Sequence, residues 1–312
     1  MPGTFPAGAP VLTGDSLAIS RFLQSPAALN RRLRDYNDLR FVSDQILTGR
    51  FRSSGGAVLY EQSEPFVSDR TAESVGAGSE YPYANLPTGT AAIAAIQKWG
   101  QKVLLTDEEI ARNQYGGAAV DRGMRKVINS IISQVDAITM SLIASAVTQT
   151  FDVTATGGGA WTGTSTILRD ILRAKAIVTK LNLGYKPDTI VLSDVAYAYM
   201  MTDTNITNAW RRETTDNPVY TGSIERVAGL NIIVSPNLPA TTGYVLDSTQ
   251  LGGMADEVDG AVGYSVSDLA VQVKSIRKDE QDAWDLQARR KTVPLVQEPG
   301  AAVKLTALGT GL

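Results

Sequence analysis

The most informative stretch of the chain is TDEEIARNQYGGAAVDRGMRKVINSIISQVDAITMSLIASAVT, residues 106–148. Thr106-Asp-Glu-Glu109 has the spacing of a capping box. The Thr106 hydroxyl takes the amide of Glu109, that carboxylate returns to the cap amide, and the acids face the positive end of the helix dipole. After a break at Gly116-Gly117, apolar residues fall at Met124, Val127, Ile128, Ile131, Ile132, Val135, Ile138, Leu142 and Ile143, the steps of three and four that bury one helix face. From residue 118 to 148 such a helix runs roughly 45 Å at about 1.5 Å per residue. Arg125, Lys126, Asn129, Gln134 and Asp136 occupy the other faces and exclude a membrane span. The prediction is a long structural spine.

On the C-terminal side, TGGGAW at 156–161 is a flexible boundary, and helices and strands then alternate. Leu168, Ile171, Leu172, Val178 and Leu181 mark a helix that Gly184 stops, with Pro187 beyond. Strands are expected at 189–192, 229–234 and 243–246, with a helix from about 194 to 201. Beyond this α/β unit the tail turns to strand. Residues 269–277 and 283–290 alternate, the second with Trp284, Leu286 and Ala288 on one side, and a last strand is expected near 302–305.

On the N-terminal side, residues 90–105 read as one strand. Residues 50–95 hold scattered Gly and Pro around short strand-like pieces such as 57–61, and cannot bury much of themselves. Long loops of this kind usually bind something. From Pro26, Leu29, Leu33, Tyr36 and Leu39 recur at helical spacing with Arg31, Arg32, Arg34 and Arg40 between them. Those arginines form either a solvated face or a surface that pairs with acids on a neighbour. Residues 1–25, rich in Gly, Pro, Ser and Ala, read as an extended arm.

Composition narrows the chemistry. The chain has 312 residues, 43% hydrophobic and 20% charged, with a net charge of −3, so no chain-wide positive field exists to hold a nucleic-acid backbone. Histidine and cysteine are both absent. Their absence removes disulfides, thiolate nucleophiles, Ser-His-Asp triads and nearly all zinc, copper, haem and iron–sulfur sites. The first ten residues, MPGTFPAGAP, lack a basic region followed by an apolar one, and the expectation is a soluble, intracellular chain.

Each short motif has a plainer explanation than catalysis. Gly14-Asp15-Ser16-Leu17 spells a lipase/esterase block, but its serine has no histidine to take the proton. Gly158 to Ser165 has P-loop spacing with threonine where lysine must reach phosphate. Ser275 and Lys278 share the Ser-x-x-Lys spacing, but on a strand they project to opposite faces. Asp256, Glu257 and Asp259 are read as a solvated turn, and Asp107, Glu108 and Glu109 as helix caps. No catalytic, cofactor-binding or metal-binding residue is expected.

The order of these parts resembles the major capsid protein of tailed double-stranded-DNA bacteriophages, whose fold is shared with encapsulins. The residues that carry the resemblance are GRFRSSGGA at 49–57 with Leu59-Tyr60, Trp99 with Thr106-Asp-Glu-Glu109, GYKPDTIVLS at 184–193 and GLNIIVSP at 229–236. The resemblance implies an α+β phage major-capsid fold. In it residues 1–49 are an N-terminal arm, 50–95 an extended loop lying over a neighbour, 96–150 a peripheral domain with its spine helix, 151–254 an α/β axial domain, and 255–312 the return strands of the peripheral domain. It also implies a non-enzymatic structural protein that self-assembles as hexamers and pentamers into the icosahedral shell around a double-stranded DNA genome. The alternative is the shell of an encapsulin-type nanocompartment. Expected partners are further copies of the chain, a portal, scaffolding or decoration proteins and non-specifically packaged DNA, with no membrane and no cofactor. The place of action is the virion, assembled in the host cytoplasm. An assembly chaperone, where one is needed, is expected to be a separate or removed segment. Some family members cross-link through a lysine in the extended loop. Here the first lysine is Lys98, beyond that loop, so this cross-link is not expected.

Overall fold

A computed structural model describes residues 41–63, 68–85, 88–112, 116–155, 159–162, 166–209, 223–258, 263–266 and 270–309. The arm expected over 1–25 and the helix expected from Pro26 lie outside the described residues. The described elements, in chain order, are α1 (Ser43–Ile46), β1 (Gly49–Arg52), β2 (Ala57–Gln62), β3 (Thr90–Ala95), β4 (Gln97–Thr106), α2 (Asp107–Arg112), α3 (Gly116–Ala146), β5 (Thr150–Asp152), α4 (Ile167–Lys180), β6 (Thr189–Leu192), α5 (Asp194–Thr202), α6 (Thr204–Ala209), β7 (Arg226–Val227), β8 (Leu230–Val234), β9 (Gly243–Leu246), β10 (Gly252–Asp256), β11 (Ser265–Val266), β12 (Gln272–Lys278), β13 (Ala283–Val296) and β14 (Ala302–Thr306). The fold is mixed α+β, and its described residues divide into two compact units.

The first unit holds residues 96–135 and 256–292. Its sheet is antiparallel in the order β4-β13-β12-β11, with β13 matched to β4 from Ala283↔Thr106 to Thr292↔Gln97 and to β12 from Lys278↔Ala283 to Gln272↔Arg289. Trp284, Leu286 and Ala288 are buried on one side, as the alternation predicts. Gly123 of α3 sits against Val103 and Leu105 of β4, and Val120, Met124, Val127, Ile128, Ile131 and Ile132 are buried. The spine is therefore real and begins two residues before the expected start. Part of it, Val120–Ala146, is long and apolar enough to cross a membrane, but half of that window is buried inside the protein.

Residues 90–105 are not one strand. They form β3 and β4, because at Ile96 the chain exchanges one partner, β2, for another, β13. Asp136, placed by the sequence on a polar face, is buried: its Oδ1 accepts the amide of Ser43 at 2.9 Å and its Oδ2 that of Val42 at 3.2 Å. It thus satisfies donors at the start of α1 that the short helix leaves without intrahelical partners.

The second unit holds residues 41–95, 136–255 and 293–312. Its main sheet runs β5-β14-β9-β6-β8-β7, with β6 and β8 parallel, β14 and β5 parallel, and the other neighbours antiparallel. The strand β14, expected among the returning strands of the tail, belongs here instead, paired with β5 and β9. On α4 the buried positions are Ile167, Asp170, Ile171, Ala174 and Val178, whereas Leu172 and Leu181 are exposed, so the helix is turned from the face its leucines suggest. Asp170 is buried with its carboxylate accepting from Trp161 Nε1 at 3.3 Å and Arg169 Nη2 at 3.1 Å.

GYKPDTIVLS at 184–193 turns out to be a corner that joins helix to sheet. Gly184 takes φ +83°, a left-handed conformation that glycine adopts without a Cβ clash. The Tyr185 hydroxyl donates to Glu298, the Lys186 amide donates to Asp247, and Asp188 accepts from the Ser248 amide and hydroxyl. Residues 189–192 are wholly buried in β6, and the Ser193 hydroxyl caps α5 by accepting the Ala196 amide at 3.1 Å. Elsewhere in the unit β1, β10 and the end of β13 follow in order, and their backbones approach so closely that a Cβ at Gly49 would lie 2.8 Å from the Gly252 carbonyl.

Candidate functional site

The motifs set aside in the sequence do not converge on a chemical centre. Gly14-Asp15-Ser16-Leu17 lies outside the described residues, as do 156–158 and 163–165 of the P-loop-like stretch. Ser275 pairs with Leu286 and Lys278 with Ala283 on β12, an odd spacing that puts the two side chains on opposite faces. Asp256 and Glu257 are not a solvated turn. Asp256 ends β10 and holds the buried Arg290 at 3.1 Å, while Glu257 pairs with Lys291 at 3.9 Å. Among the described residues no group of three acids comes together to hold a metal ion.

Capping explains only part of the 106–109 cluster. The Glu109 amide does donate to the Thr106 hydroxyl, at 3.3 Å. Asp107, however, takes both Nη atoms of Arg277 at 2.7 Å, and that fork holds its carboxyl below the usual carboxylate value. A groove of about 310 Å³ beside it is lined by Val103, Leu105, Glu109, Arg122 and Lys126. It pairs apolar walls with charges but offers no nucleophile with a base in reach.

What stands out is surface that the described residues leave uncovered. β2 and β3 form a separate two-stranded sheet, in register from Ala57↔Ala95 to Gln62↔Thr90. Leu59 and Ile93 face each other across it at 69% and 74% exposure, and Tyr81 and Tyr83 beyond it are 79% and 86% exposed. The two strands pair with each other over their whole length, yet among the described residues neither face of the hairpin is covered. An isolated hairpin in water is marginal at best, and four large apolar side chains in the open are the usual mark of a contact surface. Its base is fixed, since the Ser63 amide donates to the Gln297 carbonyl at 2.9 Å.

The second feature is one face of the sheet in the first unit. Lys102 Nζ and Lys278 Nζ lie 3.1 Å and 3.3 Å from the buried Asp285 carboxylate. Burial pushes the Asp285 carboxyl up, and the hydrogen bonds and charges of the two lysines outweigh it, so it stays below its ordinary value. The Arg289 guanidinium stacks over the Tyr264 ring at 3.8 Å and donates to Gln272 at 2.7 Å. Asp136, by contrast, is raised by burial, with the Ser43 and Val42 amides acting against that shift. Sequence reasoning found the hairpin as an excursion but missed both Asp136 and Asp285, each of which has a partner 93 or more residues away.

Comparison with known proteins bears on this arrangement. The family model described as phage capsid protein matches residues 89–305, well over half of the chain. Among curated proteins, none matches. The fold is similar to the capsid structure of the cyanophage P-SCSP1u, with a TM-score of 0.61 at 15% identity over 87% of this chain and 89% of that one. It is also similar to a phage-related protein from Bordetella bronchiseptica, with a TM-score of 0.57 at 12% identity over 91% and 97% of the two chains. A virus-like particle from Pyrococcus furiosus gives a TM-score of 0.56 at 12% identity over 88% and 95%.

Proposed function

This chain belongs to the phage capsid protein family, and from that membership we propose how its parts are used. It is a structural, non-enzymatic component of the virion, and its copies associate to form the capsid shell. The proposal adds that the shell is icosahedral, built of hexamers and pentamers, and encloses the double-stranded DNA of a tailed phage. In this reading residues 1–49 are the arm and 50–95 the extended loop. Residues 96–150, with the return strands after 255, are the peripheral domain, and 151–254 the axial domain, which β14 rejoins. A portal and scaffolding or decoration proteins complete the particle.

The observation that carries the reading is the family match across residues 89–305. The uncovered hairpin supports it, because a shell subunit completes its burial against its neighbours. Light scattering and negative-stain imaging of purified protein should find closed shells or capsomer rings. A monomer at every concentration and buffer, with or without a scaffold protein, would contradict the reading. The likeness to the Pyrococcus particle favours one alternative, a nanocompartment shell filled with protein. Particles taken from their native source and containing double-stranded DNA decide for the phage shell, and particles filled with an enzyme decide for the nanocompartment.

A further inference from the structure

The stretch of chain that carries β1 and β2 is tied at both its ends to one short loop, residues 247–251, which follows β9 in the α/β unit. At its start, just before β1, the Thr48 hydroxyl donates to the Ser248 carbonyl at 2.6 Å, and the Thr48 amide donates to the same oxygen at 3.4 Å. At its end, just after β2, the Ser63 amide donates to the Gln297 carbonyl at 2.9 Å. The Gln297 and Glu298 amides in turn donate to the Leu251 carbonyl, at 2.9 Å and 3.2 Å. Ser63 takes φ +58°, a left-handed conformation uncommon for a residue with a Cβ, so the chain turns away from the β2-β3 ladder at the residue where it meets Gln297.

The loop itself is held by the corner that joins α4 to β6. The Asp188 carboxylate accepts the Ser248 amide at 2.9 Å and the Ser248 hydroxyl at 2.7 Å, and the Lys186 amide donates to Asp247 at 2.8 Å. Asp247 also accepts the Thr249 amide and hydroxyl, which closes the loop on itself. The Tyr185 hydroxyl reaches Glu298 at 2.9 Å, so the corner touches the second tie as well as the first. Asp247, Ser248 and Leu251 are buried, whereas the hairpin they lead to is exposed. The frame is therefore built from the ordered part of the α/β unit and ends on the uncovered part.

We propose that residues 247–251 are a yoke that fixes the direction in which the hairpin leaves the α/β unit, with Thr48 and Asp188 as its positioning residues. Thr48 fastens the chain entering β1 to the Ser248 carbonyl, and Asp188 holds Ser248 in place. The inference rests on the shell reading above for the use of the hairpin and goes beyond it by naming what orients it before any neighbour is met. A hairpin on a loose stalk would lose orientational freedom at every contact it made, and one held in advance avoids that cost. Thr48 is itself exposed and adds no core packing, so its hydroxyl bond is explained by position and not by burial.

The test measures the hairpin's orientation in the free subunit. The chain has no cysteine, so Leu59→Cys/Leu172→Cys, at exposed positions on the hairpin and on α4, takes two spin labels whose distance distribution is read by pulsed electron paramagnetic resonance. The labelled parent should give one narrow distribution. Adding Thr48→Val, which keeps the shape and removes the hydroxyl, should widen it about twofold or more, with the urea midpoint unchanged. Thr48→Ser, which keeps the hydroxyl, should leave it narrow. Asp188→Ala should widen it too, and Asp188→Asn, which retains an acceptor for the Ser248 amide, should do so less. In the unlabelled chain Thr48→Val should lower particle yield by about fivefold or more, and Thr48→Ser should restore it. A Thr48→Val distribution as narrow as the parent's would overturn the proposal, as would a widened distribution with wild-type particle yield. A wild-type chain that forms no particles would instead remove the shell reading, and the distances in the free subunit would still decide whether the yoke orients the hairpin.

Discussion

Two strands, β6 in the α/β sheet and β3 in the hairpin, end in opposite circumstances. In the α/β sheet, Ile190 lies on β6 between β8 and β9 and is fully buried. In the hairpin, Ile93 lies on β3 with one partner strand and is mostly exposed. β6 is hydrogen-bonded along both edges and β3 along one, so part of the difference lies in backbone pairing. The rest is a second layer: β6 has helices and a shared core that includes Ile171, Val245 and Val303, whereas among the described residues none covers the hairpin. One region carries its own stability, and the other, in the proposed reading, is completed by a neighbour.

The largest effect should come from inverting a core position. Ile190→Asp places an unpaired charge among buried side chains and should cost on the order of 3–5 kcal/mol, enough to leave insoluble chain. Ile131→Asp on the spine should behave alike, while Gln134→Ala on its exposed side should be mild. Soluble yield and urea denaturation check both. By contrast Ile93→Asp should change the stability of the free subunit by roughly 0.5 kcal/mol or less, as expected of an exposed site. Particle yield, not melting, should register that change. A steep loss of subunit stability in Ile93→Asp would erase the distinction between the two regions.

Asp136 comes next. Asp136→Ala should leave the Val42 and Ser43 amides without their acceptor and cost about 1–3 kcal/mol, read by urea denaturation of the unassembled subunit. The pH profiles of two carboxylates sharpen the comparison because they run oppositely. The Asp136 carboxyl is raised, so the folded state holds its proton more tightly than the unfolded chain, and the stability it adds is present at low pH and lost as pH rises through its folded value. The Asp285 carboxyl is depressed below the ordinary 3.8, so its contribution is present above that value and lost as pH falls through its folded value. Denaturation of Asp136→Asn and Asp285→Asn against wild type from about pH 2 to 7 should show differences of opposite slope.

The smallest effect is expected from covalent chemistry. The 57–95 hairpin contains no lysine, so particles boiled in detergent should give a single band near 33.3 kDa. A ladder of oligomers would identify Lys98 or Lys102 as a cross-linking residue.

Elements governed by local spacing were legible in the sequence. The spine was expected over 118–148 and runs over Gly116–Ala146, and β6, β8, β9 and α5 fall where the 184–236 blocks and the 243–246 run put them. What local pattern does not encode is the choice of partner. Residues 90–105 have strand composition throughout, and nothing in them marks the change of partner at Ile96. Residues 302–305 read correctly as strand, but their neighbours are β5 and β9, which are more than 50 residues away. Asp136 and Asp256 read as solvated because charge is usually exposed, yet each answers a donor brought to it by the fold, backbone amides in one case and Arg290 in the other. The exposed hairpin was anticipated as an excursion from its Gly and Pro content.

Amide hydrogen exchange of free subunits and of assembled particles tests the claim that the hairpin is completed by another copy. Amides of 57–62 and 90–95 should gain about tenfold or more protection on assembly, while those of 189–192 and 243–246, already covered in the subunit, should change little. Hairpin amides that exchange equally fast in both states would contradict it.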